Sequence, residues 1–181
     1  MSFLREVQLE KEFGPSVMFR EALGFLPNLI RAQSLLPRVI EAQAKLEDAV
    51  RLRAGALSRA QKERILLTIA ADRRDTYCVA MHSGVLSSLG ATPGQIDDLL
   101  NEYRGAELSA PDLATLQFCL KLSRNAPAVQ SEDVEPLRVS GLTDRAIFET
   151  VVVTALAIYL CTLFCGFAAR AGFPSARATF A

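Results

Sequence analysis

Apolar positions recur along the chain at helical spacing, i to i+3 or i+4, and alternating runs are scarce. From Pro37, a residue suited to the first helical position, Val39, Ile40, Ala44 and Leu46 line one face up to Val50. Ser58 with Gln61 forms a capping box, and Ile65, Leu66, Ile69 and Ala70 repeat behind it. A further helix is predicted from about Asp75 to Leu89, closed by Gly90. Thr92-Pro93-Gly94-Gln95 opens another. Ser109-Ala110-Pro111-Asp112 opens the next, which carries Leu113, Leu116, Phe118, Leu120 and Leu122 and stops at Asn125 to Pro127. Ser131 is expected to cap a short helix before Gly141, and Thr143 or Asp144 to start a long apolar one ending near Gly172 and Pro174. No strand pattern, solenoid period or low-complexity tract stands out. The expectation is an all-α fold, a compact helical bundle, in a single domain over residues 1–181.

The long apolar helix raises the question of its solvent. Thr150 to Ala169 holds no charged residue, a length that can span a bilayer. It also contains Thr150, Thr154, Thr162, Tyr159 and Gly166, and Arg145 and Arg170 flank both ends, so no orientation follows from charge. It reads as a buried core or subunit-interface helix, with no membrane partner.

Composition supports that picture. Of 181 residues, 50% are hydrophobic and 22% charged, the proportions of a globular chain. Lys plus Arg equals Asp plus Glu at 20 each, so nucleic-acid binding lacks its usual electrostatic support. Cys78, Cys119, Cys161 and Cys165 are irregularly spaced, and Met1 to Arg5 lacks the apolar run of a secretory signal. Free thiols in a reducing, cytoplasmic compartment are expected.

Candidate chemistry concentrates between Glu63 and His82. Cys78 and His82, four residues apart, share a helix face, so the imidazole can reach the thiol directly or through one water. A neighbouring His favours the reactive thiolate. If Asp75 or Thr76 starts the helix, Cys78 sits in its first turn, where the dipole lowers the thiol pKa further, aided by Arg73 and Arg74. Glu63, on the preceding helix, can orient the imidazole or take its proton. Blander readings exist: a small buried Cys beside a satisfied core His, or a mixed metal site of Glu63, Asp75, Cys78 and His82. Cys161 and Cys165 read as packing; Arg51, Arg53 and Arg73-Arg74 read as solvated faces.

These residues resemble alkyl hydroperoxidase D and the carboxymuconolactone decarboxylase superfamily, in its peroxidase-related branch. That family carries a glutamate, eleven residues, C-x-x-C, three residues and a histidine; here Glu63, Asp75-Thr76-Tyr77-Cys78 and His82 fall in the same register. Tyr77-Cys78, Ser83, Gly24-Phe25-Leu26-Pro27-Asn28, Ala126-Pro127-Ala128-Val129 and Ser140-Gly141-Leu142 are also similar to that branch. The resemblance implies an all-α, AhpD-like fold whose subunits associate through helices. It also implies a peroxide-reducing relay with Glu63 as proton acceptor, His82 as relay and Cys78 as activated thiol.

One position departs from the pattern: the family's first cysteine is Asp75 here. A C-x-x-C disulfide cannot form, so Cys78 would work as a one-Cys centre resolved by an external thiol, or by another Cys that the fold brings near. Asp75 also places a negative charge three residues from Cys78, which raises the thiol pKa. Around Leu160 to Gly166 the chain reads LCTLFCG where the branch often has an asparagine-rich segment. Two function classes follow. One is a thiol-dependent antioxidant enzyme taking a peroxide or other small molecule and an external thiol reductant, as a homo-oligomer. The other is a non-redox member, either a small-acid enzyme using Glu63 and His82 as general base and acid or a ligand-binding remnant. Neither calls for a cofactor or a metal.

Overall fold

The computed structural model describes residue 17, residues 28–102 and residues 108–167. Among these the chain forms eight α-helices and no strand: α1 (Asn28–Ala32), α2 (Pro37–Glu47), α3 (Arg59–Asp72), α4 (Thr76–Ser88), α5 (Pro93–Glu102), α6 (Ala110–Arg124), α7 (Ser131–Val139) and α8 (Asp144–Phe167). The all-α expectation is met. The Gly24 to Pro27 turn and the Gly172 and Pro174 stop lie outside the described residues.

The helix starts follow the local signals. Ser58 accepts from the Gln61 amide while the Gln61 side chain accepts from the Ser58 amide. Thr92 and Gln95 do the same for α5. Ser109 caps α6 and the Thr143 hydroxyl caps α8. Two boundaries differ from the sequence reading. The helix from Pro37 ends at Glu47 and continues as a π-turn, Asp48–Leu52, before Val50 is passed. The cap of α7 is Gln130, one residue before Ser131, because the Gln130 amide donates to Asp133 Oδ2 at 2.8 Å.

α3 is the centre of the bundle. Lys62, Glu63 and every residue from Ile65 to Ala70 are buried, so this helix is enclosed all round rather than along one stripe. α4, α6 and α8 pack on it, and the core joins Ile65, Leu66, Ile69, Tyr77, Cys78, Leu116, Leu156, Leu160 and Phe164. Burying each such Leu or Ile side chain contributes roughly 1.5–3 kcal/mol. The α3–α4 turn is tight: the Asp75 amide returns to the Ala70 carbonyl at 2.9 Å. It needs Arg74 at φ +55°, a left-handed conformation that costs a non-glycine residue about 1–2 kcal/mol. That turn sets Asp75 at the start of α4.

α8 is long and apolar enough to cross a membrane by length and composition. It nonetheless buries Ile147, Thr150, Val153, Thr154, Leu156, Ala157, Leu160, Cys161 and Phe164 against the bundle, which makes it a core helix on that face. Thr150 and Thr154 satisfy their buried hydroxyls on the carbonyls of Ala146 and Thr150. Phe148 and Val151 on the other side are exposed.

Candidate functional site

Glu63 from the middle of α3 and His82 from α4 meet inside the bundle. His82 Nδ1 lies 2.7 Å from Glu63 Oε2, with side-chain exposures of 1% and 0%. The other carboxylate oxygen, Oε1, is 2.8 Å from the Arg59 guanidinium and 3.9 Å from that of Arg51. Burial pushes the Glu63 carboxyl up, but the hydrogen bond and charge of His82, with Arg51 and Arg59, outweigh it and hold the group below its usual range. An ionised carboxylate only accepts, so the ring donates to it through Nδ1, leaving Nε2 on the other side of the ring.

Arg51 is the residue the sequence reading misplaced. It is not on a solvated face: its side chain is 12% exposed and also pairs with Glu47 at 2.7 Å. Gln43 donates to Glu47 in turn, and Arg59 donates to the Arg51 carbonyl. The π-turn that carries Arg51 aims it inward, a local geometry that recurs at functional sites. The pattern Gln43, Glu47, Arg51, polar residues four apart on a helix with an apolar face, was the available signal. Arg53, by contrast, is exposed and pairs with Asp48.

Cys78 occupies the first turn of α4, as expected, but its surroundings differ from the expectation. Asp75 caps the helix: Oδ1 accepts from the amides of Tyr77 and Cys78, both at 3.1 Å. Its Oδ2 is buried without a hydrogen-bond partner. Cys161, from α8, faces the same spot. The ligand atoms of Asp75, Cys78 and Cys161 all lie within 4.8 Å of one another, and all three residues are buried. The Cys78 thiol is therefore pushed up, first by its interaction with Cys161, then by burial, then by the charge of Asp75. The expected lowering by the helix start and the arginines is overturned. Arg73 instead reaches Ser123 on α6, and no hydrogen bond joins His82 to Cys78 among the described residues.

Two sub-sites thus lie one helical turn apart on α4: a Glu63–His82 dyad backed by Arg51 and Arg59, and an Asp75–Cys78–Cys161 cluster. The second has the donor types of a thiolate-preferring divalent cation. It is a different set from the Glu63, Asp75, Cys78, His82 combination read from the sequence, since Cys161 replaces Glu63 and His82. Cys119 is buried elsewhere, beside Thr154, and burial pushes its thiol up to about 12. Cys165, one turn beyond Cys161, is exposed. The surface groove lined by α6 and the turn after it, from Leu113 to Ala128, shares no residue with either sub-site.

The fold is that of AhpD-like helical proteins. Residues 37–109, which carry Arg51, Arg59, Glu63, Asp75, Cys78 and His82, match the Carboxymuconolactone decarboxylase family. The chain is similar to the alkylhydroperoxidase AhpD core of a peroxidase-related protein from Ralstonia eutropha JMP134. There the TM-score is 0.86 at 24% identity, covering 93% of this chain and 91% of that one. A peroxidase-related protein from Silicibacter sp. TM1040 gives a TM-score of 0.80 at 25% identity, over 85% of this chain and 81% of the other. The debrominase Bmp8 shares the fold at a TM-score of 0.76 and 16% identity, over 93% and 91% of the two chains. No curated protein sequence matches the chain. The chain therefore has the fold of AhpD-like proteins, and part of it is similar to the carboxymuconolactone decarboxylase family.

Proposed function

We propose that the protein is a thiol-dependent, alkylhydroperoxidase-like peroxidase of antioxidant defence. It works in the cytoplasm as a homo-oligomer and takes a peroxide and an external thiol reductant. Cys78 is the attacking thiol and the Glu63–His82 dyad moves its proton. The observation that carries this reading is the 2.7 Å Glu63–His82 contact, buried one helical turn from a buried cysteine in the family's register. Because the Cys78 thiol is pushed up, it rests protonated, and the proton must leave as sulfur attacks the peroxide oxygen. The basic Nε2 of His82 receives it, through a water or the substrate itself, and Glu63 stabilises the resulting imidazolium. Arg51 and Arg59 keep Glu63 ionised for that purpose.

A second reading draws on Asp75. A buried carboxylate beside a thiol that stays neutral suits a non-redox enzyme in which Glu63 and His82 act as general base and acid. Peroxide consumption with a dithiol reductant separates the two. The peroxidase reading expects turnover by wild type, none by Cys78→Ser, and a large loss in His82→Ala. Undiminished turnover in Cys78→Ser overturns it and leaves the acid–base reading.

A further inference from the structure

We propose that Cys161 is the resolving thiol of this centre, so that Cys78 on α4 and Cys161 on α8 interconvert between a dithiol and a cross-helix disulfide. The inference deepens the peroxidase reading and rests on it for the oxidising step, but the pair itself stands on geometry. The two sulfurs and an Asp75 oxygen lie within 4.8 Å of one another, close enough for a side-chain rotation to bring sulfur to sulfur. Neither thiol is in a disulfide in the structure. Just beside them the two helices are clamped: the Tyr77 ring, next to Cys78, stacks on Phe164, three residues beyond Cys161, with centroids 4.0 Å apart. That contact holds α4 and α8 at a fixed approach where the sulfurs face each other.

Asp75 gives the cluster a proton acceptor. Its Oδ1 is used by the α4 cap, while Oδ2 is buried and unpartnered, an arrangement that costs free energy unless the group has another use. The sequence places a carboxylate where the family has its first cysteine; the fold supplies the missing sulfur from α8 instead. Cys78 and Cys161 together then do what a C-x-x-C pair does locally, with Asp75 beside them.

The chemistry balances. The Cys78 sulfur attacks one oxygen of a hydroperoxide, the O–O bond breaks, and the alcohol leaves with the thiol proton, giving a sulfenic acid. The Cys161 sulfur, giving its proton to Asp75, then attacks the Cys78 sulfur. The S–O bond breaks, the hydroxyl departs as water with that proton, and the S–S bond forms. An external dithiol returns two electrons and two protons, becoming a disulfide itself.

The test uses the full chain with all four cysteines. Reduced protein receives one equivalent of hydrogen peroxide or, separately, an oxidised small dithiol that acts by disulfide exchange. Free thiols are then alkylated and the peptides mapped by mass spectrometry. A Cys78–Cys161 linked peptide under both treatments is expected, and Cys161→Ser or Cys161→Ala treated with peroxide should trap Cys78 as a sulfenic acid reactive to a 1,3-dione. A link formed by the exchange oxidant alone keeps the pair and overturns the peroxide reading. A Cys78 sulfenic acid that persists in wild type with Cys161 free overturns the pair, as does the absence of the link under both treatments.

Discussion

Glu63 Oε2 and His82 Nδ1 lie 2.7 Å apart in a part of the bundle closed to water, with Arg51 and Arg59 on the far side of the same carboxylate. Removing the carboxylate leaves two guanidinium groups and an imidazole without their partner. Glu63→Ala is therefore expected to cost about 3–5 kcal/mol, the range for breaking one side of a buried charge pair. Glu63→Gln, which keeps the volume and one acceptor oxygen, should cost less, and both should lose activity. Urea unfolding monitored by circular dichroism measures the difference. A Glu63→Ala protein as stable as wild type would refute the network.

The same pair predicts a pH dependence. Glu63 is held below its usual carboxyl range in the folded protein, whereas unfolded it titrates at about 4.3. A depressed folded pKa gives stability that is fully present above the unfolded value and lost as pH falls through the folded one. The stability gap between wild type and Glu63→Gln should thus be constant from neutrality down to about pH 5 and close below about pH 4. A gap that persists unchanged into strong acid contradicts the assignment.

Cys78 should behave as a protected thiol. Its pKa is pushed up by Cys161, burial and Asp75, so the thiolate fraction near neutrality is small and grows about tenfold per pH unit. Alkylation of the folded protein should modify exposed Cys165 first, with Cys78 slow and its rate still rising above about pH 10, where a free thiol has levelled off. Asp75→Asn keeps an N-cap acceptor for the Tyr77 and Cys78 amides but removes the charge, so it should speed Cys78 alkylation with little loss of stability. Asp75→Ala also loses the cap, at about 1 kcal/mol. Time-resolved peptide mapping gives all of these rates. Cys78 reacting fastest of the four at pH 7 would contradict the electrostatics.

How far the sequence foretold this arrangement depends on the range of the interaction. The helices from Ser58, Thr92 and Ser109 were legible because a cap and its partner are three residues apart and decided locally. The register of Glu63, Cys78 and His82 was legible because helical periodicity puts them on facing turns of neighbouring helices. Arg51 was not, because the π-turn that rotates it inward has no sequence signature beyond the polar Gln43–Glu47–Arg51 line. Cys161 was not, because it meets Cys78 only once α8 has packed on α4, a contact between residues far apart in sequence. The sign of the Cys78 shift followed from that contact, so the local argument from helix start and arginines pointed the wrong way.

The segment that leads into α3 yields a further expectation. Lys62, 1% exposed, places its ammonium 2.6 Å from Glu149 Oε1 on α8 and 3.0 Å from the Arg53 carbonyl. Glu149 Oε2 accepts from the amides of Ala56 and Leu57 at 2.6 and 3.0 Å. One carboxylate thereby ties the loop before Ser58 to α8 and neutralises a buried lysine. Gly55 makes room for it, since a Cβ at that position would fall 2.0 Å from Glu149 Oε1. The end of a glutamate can usually swing aside, but here it cannot do so without surrendering Lys62 and both amides. Gly55→Ala should therefore destabilise by about 1–3 kcal/mol, as an unpaired buried polar group does. Glu149→Gln, which retains an acceptor oxygen, should cost no more than that, and Glu149→Ala should cost more because it strands the Lys62 charge. If Lys62 is the group at stake, Lys62→Met should recover part of the loss in the Glu149→Ala background, since a buried ion is replaced by an apolar chain of similar length. Thermal unfolding of the three single variants and the double mutant decides it. A Gly55→Ala protein with an unchanged midpoint would show that Glu149 is not held where these contacts place it.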